Sequence, residues 1–313
     1  RTLHESNIAE QHEQWMAQHG RTYKDQEEKD KRRAIFKKHL QFIEDFNAFG
    51  NRTFKLGVNQ FSDLTDDEFI QSHTGYLASK QVKSRRNASL SQQYPSGDVP
   101  ESIDWVEKGA TNPIKHQGQC GSCWAFSAVA AVEGITQIKS GKLPVLSEQQ
   151  LIDCDTENNG CEGGSFDNAF RYIIQNQGIT SEDTYTYQEM EGTCDSTKEA
   201  QQAAQITDFA DVQPGEDELL KAVAQQPVSV GIAAGGQEFR RYRGGVFNGD
   251  CGEQLDHAVL VVGYGTSEEG KYWKIRNSWG ESWGEDGYMR IQRGGESSYG
   301  LCGLASQASY PIA

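Results

Sequence analysis

The sequence predicts an α+β protein in which a mainly helical segment precedes two lobes, the first helical and the second rich in β-strands. Three observations support this fold class. Residues 1–50 have helical periodicity, residues 99–210 contain three more helical stretches, and residues 205–313 contain short β-branched and aromatic runs bounded by glycine. We expect four parts, namely residues 1–76, 77–98, 99–210 and 211–313.

The first of these parts, called the front segment below, is predicted to hold two helices followed by shorter elements. Ile8, Trp15 and Met16 can form one apolar face of the first helix. The second helix carries a stripe of residues spaced three or four apart. The stripe consists of Glu28, Arg32, Phe36, His39, Ile43 and Asn47. A short strand at residues 53–56 and a short helix at residues 66–69 follow.

Residues 77–98 are polar and irregular, which indicates an extended, exposed linker open to proteolysis. Two acceptor sequences for N-linked glycosylation occur, at Asn51 and at Asn87. Both precede residue 99, where the globular pattern begins.

Cys123 begins a predicted helix with an almost uninterrupted apolar run, which indicates a buried position. Ser122 or Gly121 lies near its start, and Gly141 ends it. Two more helices are predicted, one at residues 147–154 and one from Ser165 or Phe166 to Ile174. Strands are predicted at residues 228–232, 257–262, 272–276 and 287–291.

Charge and hydropathy exclude several classes of function. The net charge of −15 argues against binding to nucleic acid or to anionic lipid. Residues 1–98 hold 15 Lys and Arg against 14 Asp and Glu, whereas residues 99–313 hold 15 against 31. The mean hydropathy is −0.71, and no apolar run approaches the roughly 20 residues that span a membrane. We expect a monomer, and a leader segment before Arg1.

The seven cysteines all lie between residues 120 and 302, so six can pair and one thiol remains. This pattern favours an oxidising compartment. The spacing of Cys120 and Cys123 also suits a metal site or a dithiol redox site, but no second ligand pair completes a metal site. A thiol in the first turn of a helix is expected to have a lowered pKa. A buried structural cysteine is the alternative interpretation of Cys123.

Four motifs in order resemble the signature of papain-like cysteine proteases. They are QGQCGSCWAF at residues 117–126, GCEGG at 160–164, LDHAV at 255–259 and NSWG at 277–280. The front segment resembles the inhibitory propeptide of that family through its helical stripe and through Gly57-x-Asn59-x-Phe61-x-Asp63. His39 stands where the family usually has asparagine, and we expect it to face the surface. The sequence is most similar to plant vacuolar or secreted members, and so resembles a protease zymogen with a papain-like fold.

The resemblance implies a role for each residue of a Cys-His-Asn site. Cys123 is the nucleophile, His257 the base and later the acid, and Asn277 the group that orients the imidazole. The Gln117 side chain and the Cys123 N–H form the oxyanion hole, Trp279 covers the His257–Asn277 hydrogen bond, and Asp256 modifies the local charge. A thiolate–imidazolium pair supplies a nucleophile at mildly acid pH, where a free thiol is almost wholly protonated.

The resemblance also implies three disulfides and a substrate pocket, with neither metal nor cofactor. The disulfides are Cys120–Cys161, Cys154–Cys194 and Cys251–Cys302. The pocket, which takes the second residue before the cut bond, is formed by Ser165, Phe166, Gly231, Leu255, Ala258 and Gln307. Gly163 and Gly164 present backbone groups to an extended peptide. We expect a preference for hydrophobic or aromatic residues with some tolerance of polar ones, because Gln307 puts an amide at the pocket floor.

Latency is implied as well. Residues from about Phe69 to Tyr76 are expected to cross the cleft backwards and block it, so that the front segment is an intramolecular inhibitor. We expect acid to release it by protonating carboxylates paired across the contact, with cleavage near Asp98–Val99. Peptide and protein substrates and cystatin-type inhibitors are the expected partners. The expected location is the secretory pathway, ending in an acidic vacuole or lysosome-like compartment or outside the cell.

Three other functions remain open at this point. The chain can be an inactive binding or storage protein with the same fold, although all four site residues are present. The front segment can inhibit proteases in trans after its release. Acyl transfer to an amine instead of water uses the same residues.

Overall fold

The computed structural model of the chain describes residues 2–78, 99–252 and 254–313. Most of the predicted linker, residues 77–98, lies outside the described residues. The acceptor Asn87 and the expected cleavage point after Asp98 also lie outside the described residues. Asn51 is exposed, in a left-handed backbone conformation with φ 66°.

The front segment has the elements that its sequence predicts. They are α1 at Thr2–Gln18, α2 at Gln26–Ala48, β1 at Phe54–Leu56 and α3 at Asp66–His73. Asp25 caps α2, since its side chain accepts a hydrogen bond from the Glu28 N–H at 2.8 Å. Thr65 and Glu68 form a capping box at the start of α3. This helix runs four residues beyond its predicted end at Phe69.

The apolar faces of α1 and α2 pack on each other through aromatic rings. Ile8 and Trp15 are buried as predicted, and Trp15 lies 5.4 Å from the ring of Phe36. Met16 is only half-buried, whereas His12 is fully buried between Trp15 and Phe36. The prediction is therefore correct for Ile8 and Trp15. It is wrong for Met16, because the buried face of the helix contains His12 instead.

His39 does not face the surface, so that expectation is wrong. Its side chain is only 7% exposed, and its Nε2 lies 3.3 Å from Nη2 of Arg240 in the β-rich lobe. Burial lowers the pKa of His39 to about 2, and the positive charges of Arg241 and Arg240 add to that effect. The stripe on α2 meets the β-rich lobe at this point, which no local pattern in the helix indicates.

Arg32 holds α2, α3 and the loop between them together. Its guanidinium donates to both carboxylate oxygens of Glu68, at 2.7 and 3.0 Å, and to Glu28 at 2.6 Å. It also donates to the backbone oxygen of Asp63 at 2.9 Å. One planar side chain therefore links the helical stripe to the motif that follows β1.

We expect Arg32→Ala to lower the free energy of the first unfolding transition in urea by about 2–4 kcal/mol, because two partly buried carboxylates lose their partner. Arg33→Ala is the matched control, since Arg33 pairs on the helix surface with the exposed Asp30. Its expected loss is within about 0.5 kcal/mol. Equal losses in the two variants would show that the Arg32 network adds no stability.

The helical lobe and the β-rich lobe contain the remaining elements. The helices are Cys123–Ser140, Glu148–Cys154, Phe166–Gln175, Ser196–Glu199, Glu216–Val223 and Gln237–Arg240, with 3₁₀ turns at Gly160–Glu162 and Leu301–Gly303. The strands are β2 at Ile103–Asp104, β3 at Asp208–Val212, β4 at Val228–Ile232, β5 at Tyr242–Phe247, β6 at His257–Ser267, β7 at Gly270–Arg276, β8 at Tyr288–Gln292 and β9 at Ala308–Ile312. The three helices and four strands predicted after residue 99 are all present.

The strands form one sheet in the described part of the chain, in the order β1-β5-β8-β7-β6-β4-β9-β3, with β2 paired to β6. Strand β1 of the front segment is its edge and pairs antiparallel with β5, Phe54 opposite Gly245. Strands β4 and β6 are central and buried, as their apolar sequences require. The front segment therefore completes the sheet of the β-rich lobe.

Two hydrophobic cores correspond to the two lobes. One core contains the β-rich lobe together with six buried apolar side chains of the front segment, namely Ile43, Phe46, Phe54, Leu56, Phe61 and Phe69. The other contains the helix Cys123–Ser140 and includes Tyr76 from the front segment. The front segment thus packs mainly against the β-rich lobe, and Tyr76 is the side chain that it adds to the core of the helical lobe.

Among the described residues, no helix combines the length and apolar character needed to cross a bilayer.

Candidate active site

Cys123 is the first residue of the helix Cys123–Ser140 and is fully buried. It is the one cysteine outside the disulfides. The helix is fixed against the sheet, because the Ser127 hydroxyl donates to the Val259 backbone oxygen at 2.9 Å and the Ser229 hydroxyl donates to the Ser127 backbone oxygen at 3.1 Å. The N–H of Ala258 hydrogen-bonds to the Cys123 sulfur. The thiol therefore lies where the nucleophile helix meets the start of β6.

His257 begins β6, and Asn277 directly follows β7. The His257 Nε2 donates to the Asn277 Oδ1 at 2.8 Å, which leaves Nδ1 buried without a hydrogen-bond partner among the described residues. The indole of Trp279 stacks on the imidazole with ring centroids 4.5 Å apart. The ring is thus oriented by one hydrogen bond and shielded from water on one face.

Gln117 lies on the loop before the helix Cys123–Ser140. Its Nε2 donates to the Cys120 backbone oxygen at 2.9 Å, and its Oε1 accepts from the Ser278 hydroxyl at 2.7 Å. The Gln117 N–H also donates to the Ser278 backbone oxygen at 2.8 Å. These bonds turn the amide nitrogen of Gln117 toward the helix start, where a donor stabilises an oxyanion.

The protonation states differ from the prediction of a lowered thiol pKa. Burial raises the pKa of the Cys123 thiol to about 12, although the N–H groups of Ala258 and Trp124 act in the opposite direction. Burial also lowers the pKa of His257 to about 4, against the effect of its bond to Asn277. In this state the site holds a neutral thiol and a neutral imidazole, so the prediction is wrong here. It remains a prediction for a site open to water.

Residues 73–77, which are the end of the front segment and the first linker residue, are called the cover strand below and lie directly over these groups. The His73 backbone oxygen accepts from Trp279 Nε1 at 3.0 Å and from Gln117 Nε2 at 3.4 Å. The N–H groups of Gly75 and Tyr76 both donate to the Asp256 backbone oxygen at 2.9 Å. A Cβ at Gly75, where φ is 149°, would lie 2.3 Å from the Gly121 oxygen, so only glycine passes so close.

The cover strand continues by pairing with the helical lobe. Gly164 donates to the Gly75 oxygen at 2.9 Å, and Leu77 donates to the Gly164 oxygen at 2.8 Å. Tyr76 and Gly164 thereby form a parallel β-bridge. The loop before α3 is anchored as well, since Gln60 Nε2 donates to the Trp279 backbone oxygen at 2.5 Å.

Comparison with known families identifies both parts of the chain. Residues 99–312 match the papain family cysteine protease model, and residues 12–69 match the cathepsin propeptide inhibitor domain. The chain belongs to the papain family of cysteine proteases. It is a peptidase that carries its propeptide inhibitor domain in the same chain.

Its relatives agree with this assignment. The senescence-specific cysteine protease SAG12 of Arabidopsis thaliana is 51% identical over 311 residues, which cover 97% of this chain and 90% of the relative. The structure of a recombinant stem bromelain precursor superposes with a TM-score of 0.88 at 42% identity, covering 98% of this chain and 99% of that chain. The proform of Amb a 11, a ragweed pollen allergen, has a TM-score of 0.86 at 39% identity, covering 98% and 95%.

Of the predicted pocket residues of the protease, the structure brings several together around Tyr76. Phe166 stacks on its ring, Gly231 faces its edge, and Gln307 accepts its hydroxyl. Ala258 belongs to the same core cluster, and Leu255 is packed against that cluster. Ser165 caps the helix Phe166–Gln175 and is buried, and Gly163 and Gly164 form the wall beside the cover strand.

The structure contains the disulfides Cys120–Cys161, Cys154–Cys194 and Cys251–Cys302, the three pairs that the resemblance implied. The first joins the loop before the nucleophile to the turn that leads into Gly163. In the same place the Gly121 N–H donates to the Cys161 oxygen at 2.9 Å. This link fixes one wall of the cleft relative to the thiol.

Asp256 precedes the histidine, and its carboxylate points away from the imidazole. Its Oδ1 accepts from the Ala234 N–H at 2.8 Å. Burial raises the pKa of Asp256 to about 6, and its charge in turn opposes ionisation of Cys123. The carboxylate therefore fixes the loop after β4, while its backbone oxygen holds the cover strand.

Two residues that position Gln117 were not predicted. Ser278 lies inside the NSWG motif, so its neighbours could have indicated a role, and its hydroxyl fixes the orientation of the Gln117 amide. The Tyr187 hydroxyl donates to the Gln117 backbone oxygen at 2.5 Å and contacts the Ser122 hydroxyl at 2.9 Å. No pattern around Tyr187 indicates this contact, because it joins residues 70 positions apart.

The expectation that acid acts on carboxylates paired across the propeptide contact stays a prediction. Two propeptide carboxyl groups have lowered pKa values, those of Glu13 and Glu68, and hydrogen bonds to Lys29 and Arg32 within the propeptide are the largest causes. Across the contact, the described ion pair joins Asp66 to Arg240. Histidines, in contrast, have pKa values lowered by burial on both sides of the contact.

Proposed function

We propose that this chain is the latent precursor of an endopeptidase that hydrolyses peptide bonds through Cys123, His257, Asn277 and Gln117. The observation that carries the proposal is the cover strand over a fully buried thiol and imidazole. Residues 1–76 act as the inhibitory part, 77–98 as the activation linker, 99–210 as the lobe with the nucleophile, and 211–313 as the lobe with histidine and asparagine.

Once the cover strand has left, water reaches the site, and the cost of charging the Cys123–His257 pair falls. The Cys123 thiolate then attacks the substrate carbonyl carbon. The Gln117 side-chain N–H and the Cys123 backbone N–H donate to the oxyanion. His257, held by Asn277, gives its proton to the departing amine, leaving a thioester on Cys123. A water molecule, deprotonated by His257, releases the acid product and restores the thiol.

Latency then has a steric and an electrostatic component. The cover strand occupies the backbone positions at Gly164 that an extended substrate needs. It also removes water from the thiol, and the resulting rise in pKa keeps the nucleophile protonated. The parallel direction of its bridge with Gly164 agrees with a peptide that lies backwards in the cleft and escapes cleavage.

We expect Cys123 of the intact chain at pH 7.5 to react with iodoacetamide at least about 100-fold more slowly than Cys123 of the processed enzyme, because alkylation requires an accessible thiolate. The rate is measured by mass spectrometry of the modified peptide. A Cys123→Ser chain is the control, since its remaining cysteines are paired. Equal rates before and after processing would contradict latency by the cover strand.

Acid activation is part of the proposal, with histidines as the groups that respond. His39 and His73 of the propeptide are buried at the contact, with pKa values lowered to about 2 and about 3. Both recover an ordinary pKa near 6.5 when the propeptide leaves. The released state therefore binds more protons below pH 6.5, so docking weakens as the pH falls from 6.5 toward 3.

Three disulfides favour an oxidising compartment, and acid release favours an acidic one. We therefore propose the secretory pathway with a vacuolar or lysosome-like destination, or secretion. Peptides and proteins are the substrates, cystatin-type inhibitors compete for the open cleft, and the enzyme works as a monomer. Glycans on Asn51 would project into solvent.

A further inference from the structure

The side chain of Tyr76 fills a closed pocket of the cleft, and its contacts indicate what that pocket selects. Its backbone lies between two hydrogen bonds with Gly164, one from Gly164 to Gly75 and one from Leu77 to Gly164. Its side chain is buried in the core of the helical lobe. An extended substrate that pairs with Gly164 must place one of its side chains in the same pocket.

The walls of the pocket fit a flat aromatic ring. The Phe166 ring stacks on Tyr76 with centroids 5.1 Å apart and planes inclined by 15°. On another side, a Cβ at Gly231 would lie 2.6 Å from the Tyr76 Cε1. The absence of a side chain at Gly231 therefore gives the ring its room.

The floor of the pocket presents hydrogen-bond acceptors. The Tyr76 hydroxyl donates to the Gln307 Oε1 at 2.7 Å. Asp167 lies nearby, and its buried Oδ1 has no hydrogen-bond partner among the described residues. Burial, followed by the charge of Asp167, raises the pKa of Tyr76, so the hydroxyl keeps its proton and acts as the donor. Phenylalanine in this place leaves the half-buried Gln307 oxygen without this donor.

We propose that the processed enzyme selects tyrosine over phenylalanine at the second residue before the scissile bond, with Gln307 as the residue that determines this preference. The inference rests on the proposed peptidase function and names its substrate class. A neutral hydrogen bond in a partly buried pocket corresponds to a preference of about 3- to 10-fold in kcat/KM.

The first experiment compares fluorogenic dipeptide reporters that end in arginine and begin with tyrosine, phenylalanine, leucine or arginine. The processed enzyme is expected to cleave the tyrosine reporter about 3- to 10-fold better than the phenylalanine reporter in kcat/KM. Gln307→Leu should bring the ratio of the tyrosine to the phenylalanine reporter to about one or below. The exposed Gln225→Leu is the matched control and should keep the wild-type ratio. A wild-type ratio near one, an unchanged ratio in Gln307→Leu, or a preference for arginine would overturn the proposal.

The second experiment needs no catalysis, so that it separates this inference from the proposed function. In a Cys123→Ser full chain, the urea concentration that releases the propeptide is measured for Tyr76→Phe, Gln307→Leu and the double variant. Tyr76→Phe and Gln307→Leu should each lower it, and the double variant should lower it by less than the sum. Additive losses would contradict the Tyr76–Gln307 bond as a source of selectivity. A different result would contradict the proposed peptidase function alone: no reporter is cleaved, but the double variant loses less than the sum of the two single variants.

Discussion

A Cys123→Ser variant of the processed enzyme is expected to lose peptidase activity by about 10⁴-fold or more, and His257→Ala by a comparable factor. The two side chains act as one unit in which the imidazole both receives and returns the proton, so removing either one removes nearly the whole effect. A serine hydroxyl at the start of the helix has a pKa too high for the histidine to form an alkoxide–imidazolium pair. The residual activity comes from substrate positioning and the Gln117 donor.

The measurement is kcat/KM on a dipeptide reporter, normalised to the enzyme concentration by absorbance. Because the variants cannot process themselves, each is expressed as the full chain and cleaved in the linker by a small amount of wild-type enzyme. Thermal unfolding of each full chain shows whether it has folded. Cys123→Ser should unfold near the wild-type temperature. His257→Ala should still unfold cooperatively but at a lower temperature, since it removes a buried ring that stacks on Trp279 and binds Asn277.

His116→Ala is the matched control for the histidine variant. His116 is the other histidine of residues 99–313, and its Nδ1 accepts from the Gly118 N–H at 3.0 Å, on the loop that carries Gln117. It has no place in the proton transfer, so we expect a loss of at most about tenfold. A loss at His116 as large as that at His257 would mean that the loop, and not the imidazole, limits catalysis.

How much of the fold the sequence predicts depends on how local each element is. The helix at Cys123 is recognisable because its first three turns are almost wholly apolar and because Gly141, whose φ of 75° suits glycine, follows its last residue. Strands β4 and β6 are recognisable because they are central in the sheet and carry runs of buried, mostly apolar residues. Strand β5 was not predicted, since it contains two adjacent glycines and takes one partner from β1, almost 200 residues earlier.

The active site also has a part that the sequence predicts and a part that it does not. The identity of its residues follows from short motifs, because the chemistry needs fixed neighbours around a thiol and an imidazole. Its protonation state does not follow from them, since it is set by the cover strand, which reaches the site from about 50 residues before the nucleophile. The sequence around His39 likewise does not indicate its burial, because its neighbours Arg240 and Arg241 lie in the β-rich lobe.

Replacement of His39 by asparagine, the residue usual at this position of the propeptide motif, is expected to slow self-processing at pH 4.5 by up to about 100-fold. In the docked state the imidazole stays neutral down to a pKa of about 2, because it is buried beside Arg240 and Arg241. In the released state its pKa is near 6.5. Its contribution to the free energy of propeptide docking is thus complete above pH 6.5 and decreases as the pH falls below that value. At pH 4.5 the loss of docking free energy is about 2.7 kcal/mol. Asparagine cannot take up that proton.

The charged groups around His39 support this direction. Arg240 and Arg241 face it from the β-rich lobe, and Asp66, from α3 of the propeptide, is paired with Arg240. An imidazolium therefore meets two guanidinium groups, with one carboxylate already engaged. Processing is followed by gel analysis of the full chain between pH 4 and pH 7.5, with His19→Asn as the control. His19 packs on Trp15 within the propeptide, 5.4 Å between ring centroids, so its variant should process like the wild type. If His39→Asn processes with the wild-type pH profile, the release of the propeptide depends on other groups, and His73 at the cover strand is the next to test.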